Sequence, residues 1–218
     1  TDQMVICSVG NIDFSKLVKK AEKYFAEIKP TTEIKERKFF KDYTPFNETL
    51  KHSGYQTHAK LGTIAYPANH EKRTAMILLN NLLGGPGMNS RLNLGIREKY
   101  GFTYSIESHF TPYSDTGIFS IYLASESDKI NRCIRLVKKE LFKLHTKPLG
   151  PQQLKKAKQQ LIGQIAIGQE SEVNLMLSIG KSMLLFNKVD SFEEIKTRIN
   201  AVSSEDIQHI AKEIFKEE

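Results

Sequence analysis

Only two cysteines, Cys7 and Cys133, occur in the 218 residues. They cannot build a disulfide scaffold, and so thiol-poor a chain fits a reducing compartment, which points to the cytoplasm. Both sit on apolar patterns and read as small buried hydrophobes. Glycine (13) and proline (7) are sparse, which excludes collagen-like and low-complexity classes. No apolar run approaches the ~18 residues of a membrane helix, so no membrane partner is expected. Thr1-Asp2-Gln3-Met4 carry neither a basic n-region nor an apolar h-region. A periplasmic location would follow only if a preceding segment carried a signal. The six histidines, His52, His58, His70, His109, His145 and His209, form no i, i+4 pair and no His-Glu-x-x-His or His-x-x-Glu-His frame. A zinc site built within the chain is therefore not expected. The nucleophile elbow Gly-x-Ser-x-Gly and the phosphate loop are absent too.

What is present is a globular composition, 39% hydrophobic and 26% charged, long enough for one large domain or two small ones. The net charge of +7 permits a polyanionic partner without demanding one. Met4–Val9 is rich in β-branched residues and reads as a buried strand stopped at Gly10-Asn11. Asp13 caps a helix over 14–28, whose apolar face is Phe14, Leu17, Val18, Ala21, Tyr24, Phe25 and Ile28. Pro30 ends it. Residues 30–50 read as a linker, with Phe39-Phe40 and Phe46 available to pin it. Its charged run, Lys35-Glu36-Arg37-Lys38, reads as solvated surface rather than a nucleic-acid site. Strand patterns follow over 52–66, 102–110 and 117–124, with turn chemistry at Pro112-Tyr113-Ser114-Asp115. His52 and His58 would share a face of the first of them. Helices are predicted over 74–83, from Asn89 or Ser90 to Tyr100 with Gly101 as C-cap, and over 130–144 and 154–165. A mostly apolar helix over 173–186 should be deeply buried. Ser191 with Glu194 and Ser203 with Asp206 mark two further helix starts. Strands early and helices late give an α+β class, an antiparallel sheet covered by helices.

The densest stretch runs from Leu82 to Tyr104. By itself, Gly84-Gly85-Pro86-Gly87 reads as a tight helix–helix connection, and Arg91 and Arg97 as solvent-facing cations. The spacing says more. Leu82 to Leu92, followed by Arg97-Glu98-Lys99-Tyr100-Gly101-Phe102-Thr103-Tyr104-Ser105, resembles the pitrilysin or insulinase-type zinc peptidases, which include the mitochondrial processing peptidases. Tyr113-x-Asp115-x-Gly117 and Phe119-x-Ile121 fit the same pattern. The resemblance implies the mitochondrial-processing-peptidase-like metallohydrolase fold, two related α+β domains facing each other as a clamshell. Zinc belongs to the first domain. This chain resembles the second, which lacks metal ligands. The resemblance further implies that Arg97 and Tyr104 contact the substrate backbone and the developing oxyanion. An arginine keeps its charge, a tyrosine adds a second donor, and one oxyanion donor is worth ~3 kcal/mol. Gly84, Gly85 and Gly87 would stand in a loop that helps guide substrate.

The same resemblance divides the chain into 1–29, a closing strand–helix element of a preceding zinc-bearing domain; 30–50, a linker; and 51–218, the second domain with its final strand missing. This suggests a piece cut from a longer protein. Met4–Val9 would then fill the vacant sheet edge, or pair with a second molecule as a dimer. The expected function is the metal-free half of a zinc metallopeptidase, inactive alone and active opposite a zinc-bearing domain or partner subunit. Its substrate would be a peptide held as an added β-strand. The alternative is a non-catalytic partner or scaffold subunit that binds peptides without cleaving them.

Overall fold

Residues 4–29, 36 and 38–216 are described by a computed structural model. Pro30, and Lys35 and Arg37 of the charged run, lie outside these residues, as do Thr1 and Glu218 at the predicted domain limits. The chain forms two compact units, Thr1–Phe39 with Ile162–Ile195, and Phe40–Leu161 with Lys196–Glu218.

The larger unit is built on a three-stranded antiparallel sheet, ordered β1 (Thr57–Ala65), β3 (Gly117–Ser125), β2 (Thr103–Pro112). β3 is central, and its two ladders bury nearly every residue along it. Gly117 is obligatory at its start, because a Cβ there would collide with the Tyr66 carbonyl. The predicted Pro112–Asp115 turn forms, closed by the Tyr113 N–H donating to the Thr116 carbonyl at 2.8 Å. α2 (Arg73–Gly84) packs on β2, and α3 (Ile130–Thr146) and α7 (Ser204–Ile214) pack on each other. Met76, Leu78, Leu79 and Leu83 from α2, Val137 and Leu144 from α3, and Ile207 and Ile210 from α7 form the core with Ile121 and Leu123. Each such side chain contributes roughly 1.5–3 kcal/mol by leaving water. α7 begins at a complete capping box. Ser203 and Asp206 exchange hydrogen bonds between side chain and backbone at 2.7 and 3.0 Å.

Two expectations fail in this unit. β1 begins at Thr57, so His52 is outside the sheet and shares no face with His58. Residues 38–56 hold no helix or strand, and the rings of Phe39, Phe40 and Phe46 are exposed. What pins the segment is backbone, the Phe40 N–H donating to the Asp115 carboxylate at 2.7 Å.

The smaller unit contains α1 (Phe14–Phe25) and α5 (Glu172–Phe186), with parts of α4 (Pro151–Glu170) and α6 (Phe192–Ala201). Asp13 caps α1 as predicted, its carboxylate accepting from the Lys16 N–H at 3.2 Å. Ser191 and Glu194 likewise cap α6 reciprocally. The expected burial of α5 is corrected, since none of its residues is buried and Leu177 is 62% exposed. An apolar sequence states that a face needs cover but not what covers it. Met4–Val9 is corrected as well. It forms no strand and pairs with no edge of the sheet, because a β-branched run becomes a strand only where a ladder partner is present. Instead the segment passes α5 at Gly180, where an added Cβ would stand 3.4 Å from the Cβ of Cys7.

Candidate functional site

Arg97 and Tyr104 lie on two local irregularities that the sequence pattern does not announce. Residues 91–100 are helical as expected, but Asn93–Glu98 winds as a π-helix. Such insertions rotate the following side chains relative to an α-helix and concentrate at functional sites. Asn93 and Ile96 are buried in this turn, the Asn93 amide donating to Ser90 Oγ at 2.8 Å. Gly95 faces the Glu140 carboxylate, which also holds Arg91 at 3.4 Å. Arg97 is left on the exposed side, and its guanidinium makes no ion pair or hydrogen bond among the described residues.

Gly101 then ends the helix. Its φ of +63° requires a residue without a Cβ penalty, and its N–H donates to the Arg97 carbonyl at 2.8 Å. The chain enters β2 through a bulge. Thr103 is opposite Ser125 but Ser105 is opposite Ala124, so Tyr104 is the extra residue. The consequence is one of parity. In unbroken alternation Tyr104 would lie with Ile106 and Ser108, both buried. The bulge turns it out to 54% exposure and takes Thr103 inward to 5%. Thr103 Oγ1 stands 2.7 Å from the carbonyl oxygens of both Ser105 and Ala124, sharing its one hydrogen across the kink and holding it. The Tyr104 hydroxyl donates to Glu126 at 3.3 Å. The Lys129 ammonium, and after it Tyr104, keep Glu126 below the usual carboxylate range.

The glycines divide. Gly84 and Gly85 are buried, and their lack of a side chain is a packing requirement. A Cβ on Gly84 would stand 2.6 Å from the Ser108 nitrogen, and one on Gly85 would stand 2.7 Å from the Asn81 carbonyl oxygen. Gly87 is half-buried beside exposed Pro86 and Met88, and only the flexible ends of Asn89 and Gln160 crowd it. Of the three, Gly87 is the one presented at the surface.

Residues missed in the sequence lie on the open face of the sheet. His58 Nδ1 and the Tyr122 hydroxyl are 2.8 Å apart, and His109 and Glu107 are 3.3 Å apart. Their i, i+2 spacing in β2 was a usable signal; the cross-strand partner of His58 was not. A cleft of about 390 Å³ opens between the start of α2 and the facing parts of α6 and α7, lined in part by Glu71, Lys72, Arg198 and His209. None of the predicted site residues lines it. Beside it, Lys72 pairs with Glu213 at 2.8 Å and holds that carboxyl low, while burial and then Glu213 push the Tyr66 hydroxyl up. Among the described residues no group of three His, Cys, Asp or Glu side chains could hold a metal ion.

Residues 1–161 match the family model described as the peptidase M16 inactive domain. A protein of Bacillus subtilis named an uncharacterized zinc protease, YmxG, is 30% identical over all of this chain and 52% of its own length. One of Rickettsia felis, also named a zinc protease, is 32% identical over 94% of this chain and 49% of its own length. The chain thus spans about half the length of these relatives. A Helicobacter pylori protease superposes with a TM-score of 0.80 at 19% identity, over 95% of this chain and 51% of that one. The peptidase M16 inactive domain from Pseudomonas fluorescens gives 0.65 at 24% identity, over 74% of this chain and 38% of that one.

Proposed function

The chain belongs to the peptidase M16 family, matching its inactive domain, and from that premise we propose that it is the metal-free half of a zinc metallopeptidase. Its part in peptide hydrolysis would be to bind and polarise, since no three of its described His, Cys, Asp or Glu side chains could hold the metal. Zinc and the base that accompanies it would reside in another domain or subunit facing this one. Arg97 would hold the substrate backbone and the oxygen that becomes negative, because a guanidinium remains a donor at every physiological pH. Tyr104 would add a second hydrogen bond, exchanging Glu126 for the oxyanion. The free edge of β2, the strand that carries Tyr104, offers main-chain groups to an extended peptide. Gly87, carried on the buried Gly84-Gly85 step, would lie along the substrate's path.

The observation that supports this most is the pairing of irregularities. A π-turn carries Arg97 and, five residues further along the chain, a β-bulge turns out Tyr104, so both residues that the resemblance singles out lie on backbone irregularities and are exposed. Backbone distortions of this kind cost stability and persist where an exposed side chain is needed. The test is peptide cleavage by this chain together with its zinc-bearing counterpart. Arg97→Ala should lower kcat about 10²–10³-fold, the range for a lost oxyanion donor. Tyr104→Phe should lower it about 10-fold, matching one hydrogen bond to a charged group. Cleavage unchanged in both variants would overturn their roles and favour a non-catalytic binding subunit.

A further inference from the structure

A large share of the chain's positive charge lies on one helix. Within α3 there are five Lys or Arg residues and one acid, a local +4 within a chain of +7. The acid, Glu140, is turned toward the protein and occupied by Arg91 and Lys143. Arg132, Arg135, Lys139 and Phe142 follow at spacings of three and four, a single stripe on the side of α3 opposite Cys133, Val137 and Leu144. Lys138 and Lys143 flank it. All six of these side chains are exposed, Phe142 at 58%. Arg135, Lys138 and Lys139 make no ion pair or hydrogen bond among the described residues. Arg132 stacks on the Phe102 ring at 4.6 Å, and Phe102 stacks in turn on Tyr100, so the stripe begins at the loop that follows Arg97.

Such an arrangement opposes helix stability. Arg132–Arg135, Arg135–Lys138, Arg135–Lys139 and Lys139–Lys143 are like charges at i, i+3 or i, i+4, which repel. Arg132 stands near the positive end of the helix dipole as well. A merely soluble surface intersperses the two signs; this one excludes acids from the exposed face.

We propose that this face of α3 docks an acidic polypeptide segment, an amphipathic helix bearing Glu or Asp at matching spacings of three and four. Cations recur along the stripe at each helical turn, the interval at which a second helix presents its own side chains. Phe142, at the C-terminal end of the stripe beside Lys139 and Lys143, offers an apolar contact that a peptide side chain can use and a phosphate backbone cannot. A lone exposed ring is too little apolar surface to enter a bilayer. This docking is independent of peptide cleavage and involves neither Arg97 nor Tyr104.

The test is fluorescence anisotropy with the 218-residue chain and two labelled helical peptides as long as the stripe, one with Glu at i, i+3, i+4 and i+7, one with Gln there. The Glu peptide should bind at least about tenfold more tightly and weaken as salt rises. Arg135→Glu with Lys139→Glu should abolish that preference and create binding of the corresponding Lys peptide. Arg135→Gln with Lys139→Gln, checked by circular dichroism, should lose the preference with the fold intact. Changing Lys19 and Lys20 of α1 to Glu should leave it unaltered. Equal binding of the Glu and Gln peptides would overturn the proposal. So would insensitivity to the Arg135 and Lys139 changes, or tighter binding of a single-stranded RNA or of vesicles containing anionic lipid.

Discussion

Helices α7 and α1 carry the same kind of message and meet opposite fates. Each repeats apolar residues at three- and four-residue spacing, each is capped by an acidic or hydroxyl side chain at its N-terminus, and each is about three turns long. α7 buries Ile207, Ile210, Ala211 and Ile214. α1 buries nothing, and its Phe14 is 77% exposed. α5, more apolar than either, also buries nothing. Amphipathicity thus records that a helix expects a partner. α7 finds its partners, α3 and α2, within its own unit. The stability of the chain should accordingly be concentrated in the larger unit.

The largest expected contrast is in truncation. Leu79→Ala or Ile207→Ala should cost about 2–5 kcal/mol, since both side chains are fully enclosed. Phe14→Ala or Leu177→Ala should change stability by no more than about 0.5 kcal/mol. Urea unfolding followed by circular dichroism distinguishes them, and equal losses in the two groups would break the comparison. Glycines sharpen it further. Gly84→Ala should cost about 1–3 kcal/mol, because its new methyl meets the Ser108 backbone. Gly163→Ala, in α4 with open space around it, should gain up to about 1 kcal/mol from helix propensity. Thermal denaturation should move the two midpoints in opposite directions.

Caps should rank below core and glycines. Ser203→Ala, which dismantles the capping box of the buried α7, should cost about 1 kcal/mol. Asp13→Ala should cost less in the same assay, because the uncovered α1 contributes less to global unfolding. The smallest effect is electrostatic. Lys72 holds the Glu213 carboxyl below its ordinary value, so the pair's stabilisation is present above the unfolded carboxyl pKa of about 4.3 and is lost as pH falls through the lower folded value. Glu213→Gln should flatten the acid limb of a stability–pH profile by less than about 1 kcal/mol, the range for a half-exposed pair. Glu194, held low by the Ser191 backbone, should leave that limb of the global profile unaltered when changed to Gln.

Much of the fold was legible residue by residue. The caps at Asp13, Ser191 and Ser203, the left-handed Gly101 and the helix and strand patterns from Arg73 to Ile214 are local signals with local causes. So was the spacing that links Arg97 and Tyr104 to the family. Arg97 reads as solvent-facing from the sequence, and it is exposed. The exposure of Tyr104 was not legible, because it depends on a bulge held by Thr103, whose hydroxyl reaches the Ala124 carbonyl of the neighbouring strand. Gly84 and Gly85 show the converse. Their run reads first as a tight helix–helix connection, and the packed Ser108 and Asn81 account for their missing side chains.

By itself the sequence determined the family, the helix caps, the alternation of the strands and the concentration of charge on α3, because each follows from neighbours within a few residues. Only the tertiary structure decided which apolar faces find cover, that Met4–Val9 remains outside the sheet, and that Tyr104 points outward. Burial and strand pairing need a second surface, and the identity of that surface is not written in the segment that seeks it.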